Sequence, residues 1–62
     1  MNNNKYRIIP IENYFIDNDI CHKEGYPDAV FCSCGKTIHF KGRKPFEVVI
    51  IKCPCGKEFV YG

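Results

Sequence analysis

Cys32-Ser33-Cys34-Gly35-Lys36 and Cys53-Pro54-Cys55-Gly56-Lys57 are one turn written twice. Residues 35–52 separate the two cysteine pairs, eighteen positions in all, inside the about 15–20 expected between the halves of a four-cysteine zinc ribbon. Four thiolates in tetrahedral array at about 2.3 Å suit zinc, a soft, redox-silent cation with no directional demand of its own. Ribbons normally use Cys-x-x-Cys, and here each turn is one residue shorter. In extended chain, residues i and i+2 point to one face, so a modest bend is expected to converge their sulfurs on one ion. Gly35 and Gly56 allow the chain to turn away afterwards. Pro54 fixes φ inside the second turn.

Length makes a staple necessary. A chain of 62 residues buries only about 60% of the surface that it exposes when unfolded, and domains this small rely on disulfides, a structural metal or oligomerisation. Cysteines number five. An odd count without a secretory signal pattern argues against an extracellular disulfide scaffold and for a reducing cytoplasm. The longest apolar run, Val48-Val49-Ile50-Ile51, is far below the roughly 18 residues of a membrane span. A cytoplasmic, non-membrane protein is expected, as a monomer or small homo-oligomer.

The net charge of +2 hides a division. Residues 1–30 carry three basic and five acidic side chains, whereas residues 31–62 carry six basic ones against Glu47 and Glu58. Four thiolates and a divalent cation would subtract two charges from the second half. A nucleic-acid reading therefore rests on where Lys36, Lys41, Arg43, Lys44, Lys52 and Lys57 cluster, and not on total charge.

The fold class expected is a small all-β, metal-stapled domain. Residues 29–62 form a zinc ribbon with four cysteine ligands, and residues 1–28 form a short β extension packed on it, the two making one domain. Met1–Asn4 is polar and expected to fray. Residues 6–9 read as an edge strand stopped by Pro10 that covers a face of the ribbon. Residues 14–16 and 20–22 read as a hairpin about Asp17-Asn18-Asp19, with a helix over 12–22 as its competitor. Residues 23–28 read as a loop. In the ribbon, 29–31 leads into the first cysteine turn, and 37–40 is a strand with Ile38 and Phe40 on one face. Lys41-Gly42-Arg43-Lys44-Pro45 is a basic hairpin tip, 46–51 is a long central strand, and 58–61 pairs with it.

Around the thiols, Lys36 and Lys57 can offset the charge of a four-thiolate site or donate to phosphate. Cys21 reads as a small buried hydrophobe beside a surface histidine, His22, although either could replace a ligand if the tight turns deliver fewer than four sulfurs. His39 reads as a partly exposed strand histidine. Four protein ligands leave zinc no open position, and no nucleophile or acid–base set accompanies the site, so no enzyme is expected. The basic tip could contact phosphates while Phe40, Phe46 or His39 stacks on unpaired bases.

Residues 31–62 resemble the Com-type zinc-finger regulators of Mu-like phages. The matching features are Cys32 and Cys34 followed by Lys36, Ile38 and Phe40, then Phe46-x-Val48-x-Ile50-x-Lys52-Cys53-Pro54-Cys55 with a basic residue after it. The resemblance implies a zinc finger that binds messenger RNA and promotes translation. Com-type proteins use Cys-x-x-Cys pairs and further cysteine and histidine positions, and this chain departs from both. Its tight pairs are similar instead to the zinc centre of redox-regulated heat-shock chaperones, which implies that Cys-x-Cys can ligate zinc. Three functions follow as expectations: a nucleic-acid-binding regulator of phage or bacterial type; a protein-interaction module docking on a larger machine such as RNA polymerase or a host enzyme; and a zinc-thiolate redox switch.

Overall fold

A computed structural model describes residues 6–62; the fraying expected of Met1–Asn4 lies outside them. Each cysteine turn closes its own antiparallel hairpin. Strand β3 (Asp28–Phe31) pairs with β4 (Thr37–Phe40) across the first, and β5 (Val49–Lys52) pairs with β6 (Glu58–Tyr61) across the second. The register brings Phe31 opposite Thr37 and Lys52 opposite Glu58, directly above the turns. The domain is thus all-β, with the doubled cysteine turn of a zinc ribbon at its centre.

The leading segment gives one strand to each hairpin. Strand β1 (Arg7–Ile8) lies parallel to β5, and β2 (Tyr14–Asp17) lies antiparallel to β4, giving two three-stranded sheets ordered β1-β5-β6 and β2-β4-β3. A single 3₁₀ turn, Ile11–Asn13, follows Pro10 and carries the chain from one sheet to the other. Proline suits that point because it has no N–H for a ladder and its φ is already near −65°.

Several expectations are corrected here. Residues 20–22 form no strand, and β2 takes β4 as its partner; Asp17 and Asp19 instead spend their carboxylates on the N–H groups of Asp19 and Cys21. The helix over 12–22 is absent for the same reason, since short acceptors beside the backbone compete with helical hydrogen bonds. Strand β1 does not lie over a face. It pairs edgewise, leaving Tyr6 and Ile8 exposed while Ile9 is buried and donates its N–H to the Ile50 carbonyl at 3.1 Å. The long strand expected over 46–51 begins only at Val49, because Phe46 has φ +63° and is 98% exposed. Residues 41–48 therefore connect β4 of one sheet to β5 of the other, and are not the tip of a hairpin.

Strand β4 is buried throughout, and β5 buries Val49 and Ile51. Ile38 and Phe40 of β4 meet Val49 and Ile51 of β5 together with Ile9, and Cys32 and Cys53 join this core. Two tyrosines tie the sheets. The Lys52 N–H of β5 donates to the Tyr14 hydroxyl of β2 at 3.0 Å, and the Tyr61 hydroxyl of β6 donates to Asp28 Oδ1 of β3 at 3.1 Å. The Tyr61 ring stands edge-on to Phe40, centroids 5.1 Å apart. Pairs of this kind add about 0.5–1.5 kcal/mol beyond the area buried. The core remains small, which leaves the cysteines a structural task.

Candidate metal centre

In each turn the first cysteine opens a four-residue reversal. Gly35 N–H donates to the Cys32 carbonyl at 3.0 Å, and Cys32 N–H to the Lys36 carbonyl at 2.9 Å; the second turn repeats this with Gly56, Cys53 and Lys57 at 2.9 and 2.8 Å. Gly35 at φ +98° and Gly56 at φ +106° occupy the left-handed region that the reversal demands, where a Cβ is costly. The cysteines thus stand within tight turns, not at i and i+2 of bent strands. Chain reversal itself is what converges the sulfurs.

All four sulfurs, of Cys32, Cys34, Cys53 and Cys55, lie within 4.8 Å of one another. The short separations run between turns: Cys32 Sγ to Cys55 Sγ is 3.4 Å and Cys34 Sγ to Cys53 Sγ is 3.6 Å. A tetrahedron with metal–sulfur bonds of about 2.3 Å has edges of about 3.8 Å, so the cluster has the dimensions of a tetrathiolate site. Cys32 and Cys53 are buried, whereas Cys34 and Cys55 face solvent. One side of the site is sealed by core and the other opens to solvent.

The protonation pattern fits the same purpose. The Cys34 backbone N–H favours the Cys32 thiolate, yet burial and bonding among the sulfurs hold that thiol above its usual range. Cys53 behaves alike: the Cys55 N–H favours its thiolate, but burial and its three sulfur neighbours push it up to about 12. Cys55, receiving the Lys57 N–H and bonds from the other thiols, is drawn down to about 7. Four thiols cannot all ionise at these distances without a cation among them. A divalent metal that displaces their protons relieves that repulsion and adds its binding energy to folding.

Cys21, expected to be buried, is exposed and stands apart from the four, and His22 is exposed as expected. His39, expected to be partly exposed, is only 1% exposed. It is enclosed because β4 is flanked by strands on both sides and the 17–23 segment folds over it, bringing Asp17 Oδ1 and the Asp19 carbonyl to 3.1 and 3.2 Å from its Nε2. Phe40 is fully buried, so of the three rings named for base stacking only Phe46 reaches solvent.

The six basic residues divide by environment. Lys36 and Lys57 are exposed, one after each cysteine turn, and each gives its carbonyl to the turn. Lys52 is exposed and faces Glu58 at 3.3 Å. Lys41 lies over the Tyr26 ring at 5.2 Å, and Lys44 is exposed. Arg43 is the most committed, with its Nε donating to the Glu47 carbonyl at 2.7 Å and its guanidinium 4.9 Å from the Tyr61 ring centroid. Sequence reasoning passed over Arg7, which clamps Glu47 from the other side through Nε and a terminal nitrogen at 2.9 and 2.8 Å. Nothing local signals a pair forty residues apart.

No family model, curated protein or solved structure matches the chain.

Proposed function

We propose that this chain is a small, non-enzymatic zinc protein of phage or bacterial type, working in the cytoplasm as a regulator that contacts RNA or DNA. Zinc is the ion that the donor set favours, because four cysteine sulfurs at tetrathiolate spacing satisfy a soft cation and leave no position for a substrate. The observation that carries the nucleic-acid reading is the repetition of Lys after each turn. Lys36 and Lys57 occupy equivalent places on two turns that share one sulfur cluster, each held there by its backbone carbonyl, which accepts from the first cysteine of its turn. Lys41 and Lys44 form a second cationic place on the 41–48 connection, at the ends of β4 and β5 away from the cysteine turns. The resemblance of residues 31–62 to Com-type regulators supports the same reading.

Only about three or four cations reach phosphates at once, so log affinity for a single strand falls with log salt at a slope of about −2 to −3. Fluorescence anisotropy of the zinc-loaded chain with labelled RNA and DNA at two salt concentrations tests this. Absence of binding at low salt rejects it.

A second reading, a protein-docking module, is favoured by an apolar groove of about 310 Å³ between β1 and the second turn, lined by Ile8, Pro10, Ile11, Tyr14 and Pro54. Capture of a partner that Ile11→Asp abolishes, with nucleic-acid binding absent, would put this reading first.

A further inference from the structure

Phe46 is placed against both of its intrinsic preferences. It is a large apolar side chain that is 98% exposed, and a non-glycine residue at φ +63°. Such a backbone state is a genuine outlier for a bulky residue, and it persists only where the surroundings over-determine it.

Here they do. Glu47 N–H donates to the Lys44 carbonyl at 3.1 Å, and Lys44 N–H donates to Glu47 Oε1 at 2.9 Å, closing a turn with Pro45 and Phe46 at its apex. The Glu47 carboxylate is gripped by Arg7, which also donates to the Gly42 carbonyl, and the Glu47 carbonyl is gripped by Arg43. At the start of the connection Lys41 N–H donates to the Asn13 carbonyl at 3.2 Å. The connection is fixed to the 3₁₀ turn, to β1 and to Tyr61, and the ring stands out from a rigid mount.

The surroundings of the ring decide what it fits. Lys44 is exposed and in no ion pair among the described residues, Lys41 is exposed with its ammonium over the Tyr26 ring, and the one acidic group of the turn is neutralised by Arg7. A protein interface needs an apolar centre of several side chains, whereas this apex offers a single exposed ring with the exposed Lys44 two residues before it. One aromatic face beside ammonium groups is what an unpaired base and its flanking phosphates require.

We infer that Phe46 is a base-stacking residue and that the ligand of this surface is single-stranded nucleic acid, the ring taking one unpaired base while Lys44 and Lys41 meet adjacent phosphates. This rests on the nucleic-acid reading above and narrows it to unpaired strands. Bases inside a duplex are already stacked and closed to an apex of this shape.

The test uses the full zinc-loaded chain, a single-stranded RNA of about 12 nucleotides without self-complementarity, and the duplex that it forms with its complement. Wild type binds the single strand more tightly. Phe46→Ala weakens that binding about 5- to 150-fold, the equivalent of about 1–3 kcal/mol for one stacked base, and leaves duplex binding unchanged. Because the chain contains no tryptophan, Phe46→Trp supplies a lone reporter whose fluorescence is quenched as single strand is added. Binding that is indifferent to Phe46→Ala but weakened by Lys44→Glu overturns the stacking role and leaves the broader reading standing. Absence of binding to either RNA by wild type overturns both.

Discussion

Cys32 Sγ and Cys55 Sγ lie 3.4 Å apart across the gap between the two turns, closer than the 3.6 Å between Cys34 and Cys53. Neither turn holds a site alone, because each supplies only two of the four sulfurs and these two contacts join one hairpin to the other. The metal centre is therefore also the joint between the sheets.

From that joint follows the effect of removing one sulfur. Replacing Cys32, Cys34, Cys53 or Cys55 singly by serine lowers zinc affinity by at least about 100-fold, more than the loss of a group that merely supports a ligand. Cys32→Ser and Cys53→Ser also lower stability further than the other two, since they place a hydroxyl in the core. Cys21→Ser leaves zinc content unchanged. Competition with a chromophoric chelator measures all five.

His39 depends on its neighbours in the 17–23 segment. Asp17 bonds it and pairs with Lys23 at 2.9 Å, so Asp17→Ala removes one acceptor from a buried ring. The melting temperature of the zinc-loaded protein should fall by about 4–8 °C with zinc content intact. Thermal unfolding followed by circular dichroism reads this.

Glu47 supplies a pH test. Hydrogen bonds from Arg7 and from the Lys44 backbone N–H lower its carboxyl from the ordinary 4.5 to about 2. A lowered folded-state pKa gives stability that is full above the unfolded value and lost as pH falls through the folded one. The stability gap between wild type and Glu47→Gln should thus be constant above about pH 4.5 and begin to narrow below it, read over the pH range in which zinc content is unchanged. Paired urea titrations across that range show whether it does.

Arg43 and Lys44 are neighbours in sequence with different tasks. Lys44→Glu should leave the melting temperature unchanged and make the salt slope of nucleic-acid binding shallower by about 0.7, one phosphate contact on a single strand. Arg43→Glu should lower the melting temperature, because it removes the bond to the Glu47 carbonyl and the contact with Tyr61. Calorimetry and anisotropy on the two variants separate them.

The parts of this fold written locally were legible in the sequence. The cysteine turns, the strands on either side of them and the central place of β5 follow from spacing, glycine and alternation within a few residues. The pairing of β6 with β5 was legible too, but the partners of β1 and β2 were not, because each turn closes its own hairpin and so sends β4 and β5 to different sheets. Phe46-x-Val48-x-Ile50 alternates like a strand, yet Arg7 and Arg43 hold Glu47 in a turn, and the strand starts only at Val49. His39 shows the same limit. Its burial is set by β2 on one side, β3 on the other and a loop above, none of which is its neighbour in sequence.

The central claim is that four sulfurs from two turns hold one metal ion that the fold requires. Native mass spectrometry with X-ray absorption at the zinc edge tests it most directly. One zinc per chain, four sulfur neighbours at about 2.3 Å, and loss of chemical-shift dispersion on chelation are the results expected. A chain that keeps its dispersion without metal, or a bound metal with fewer than four sulfurs, would contradict it.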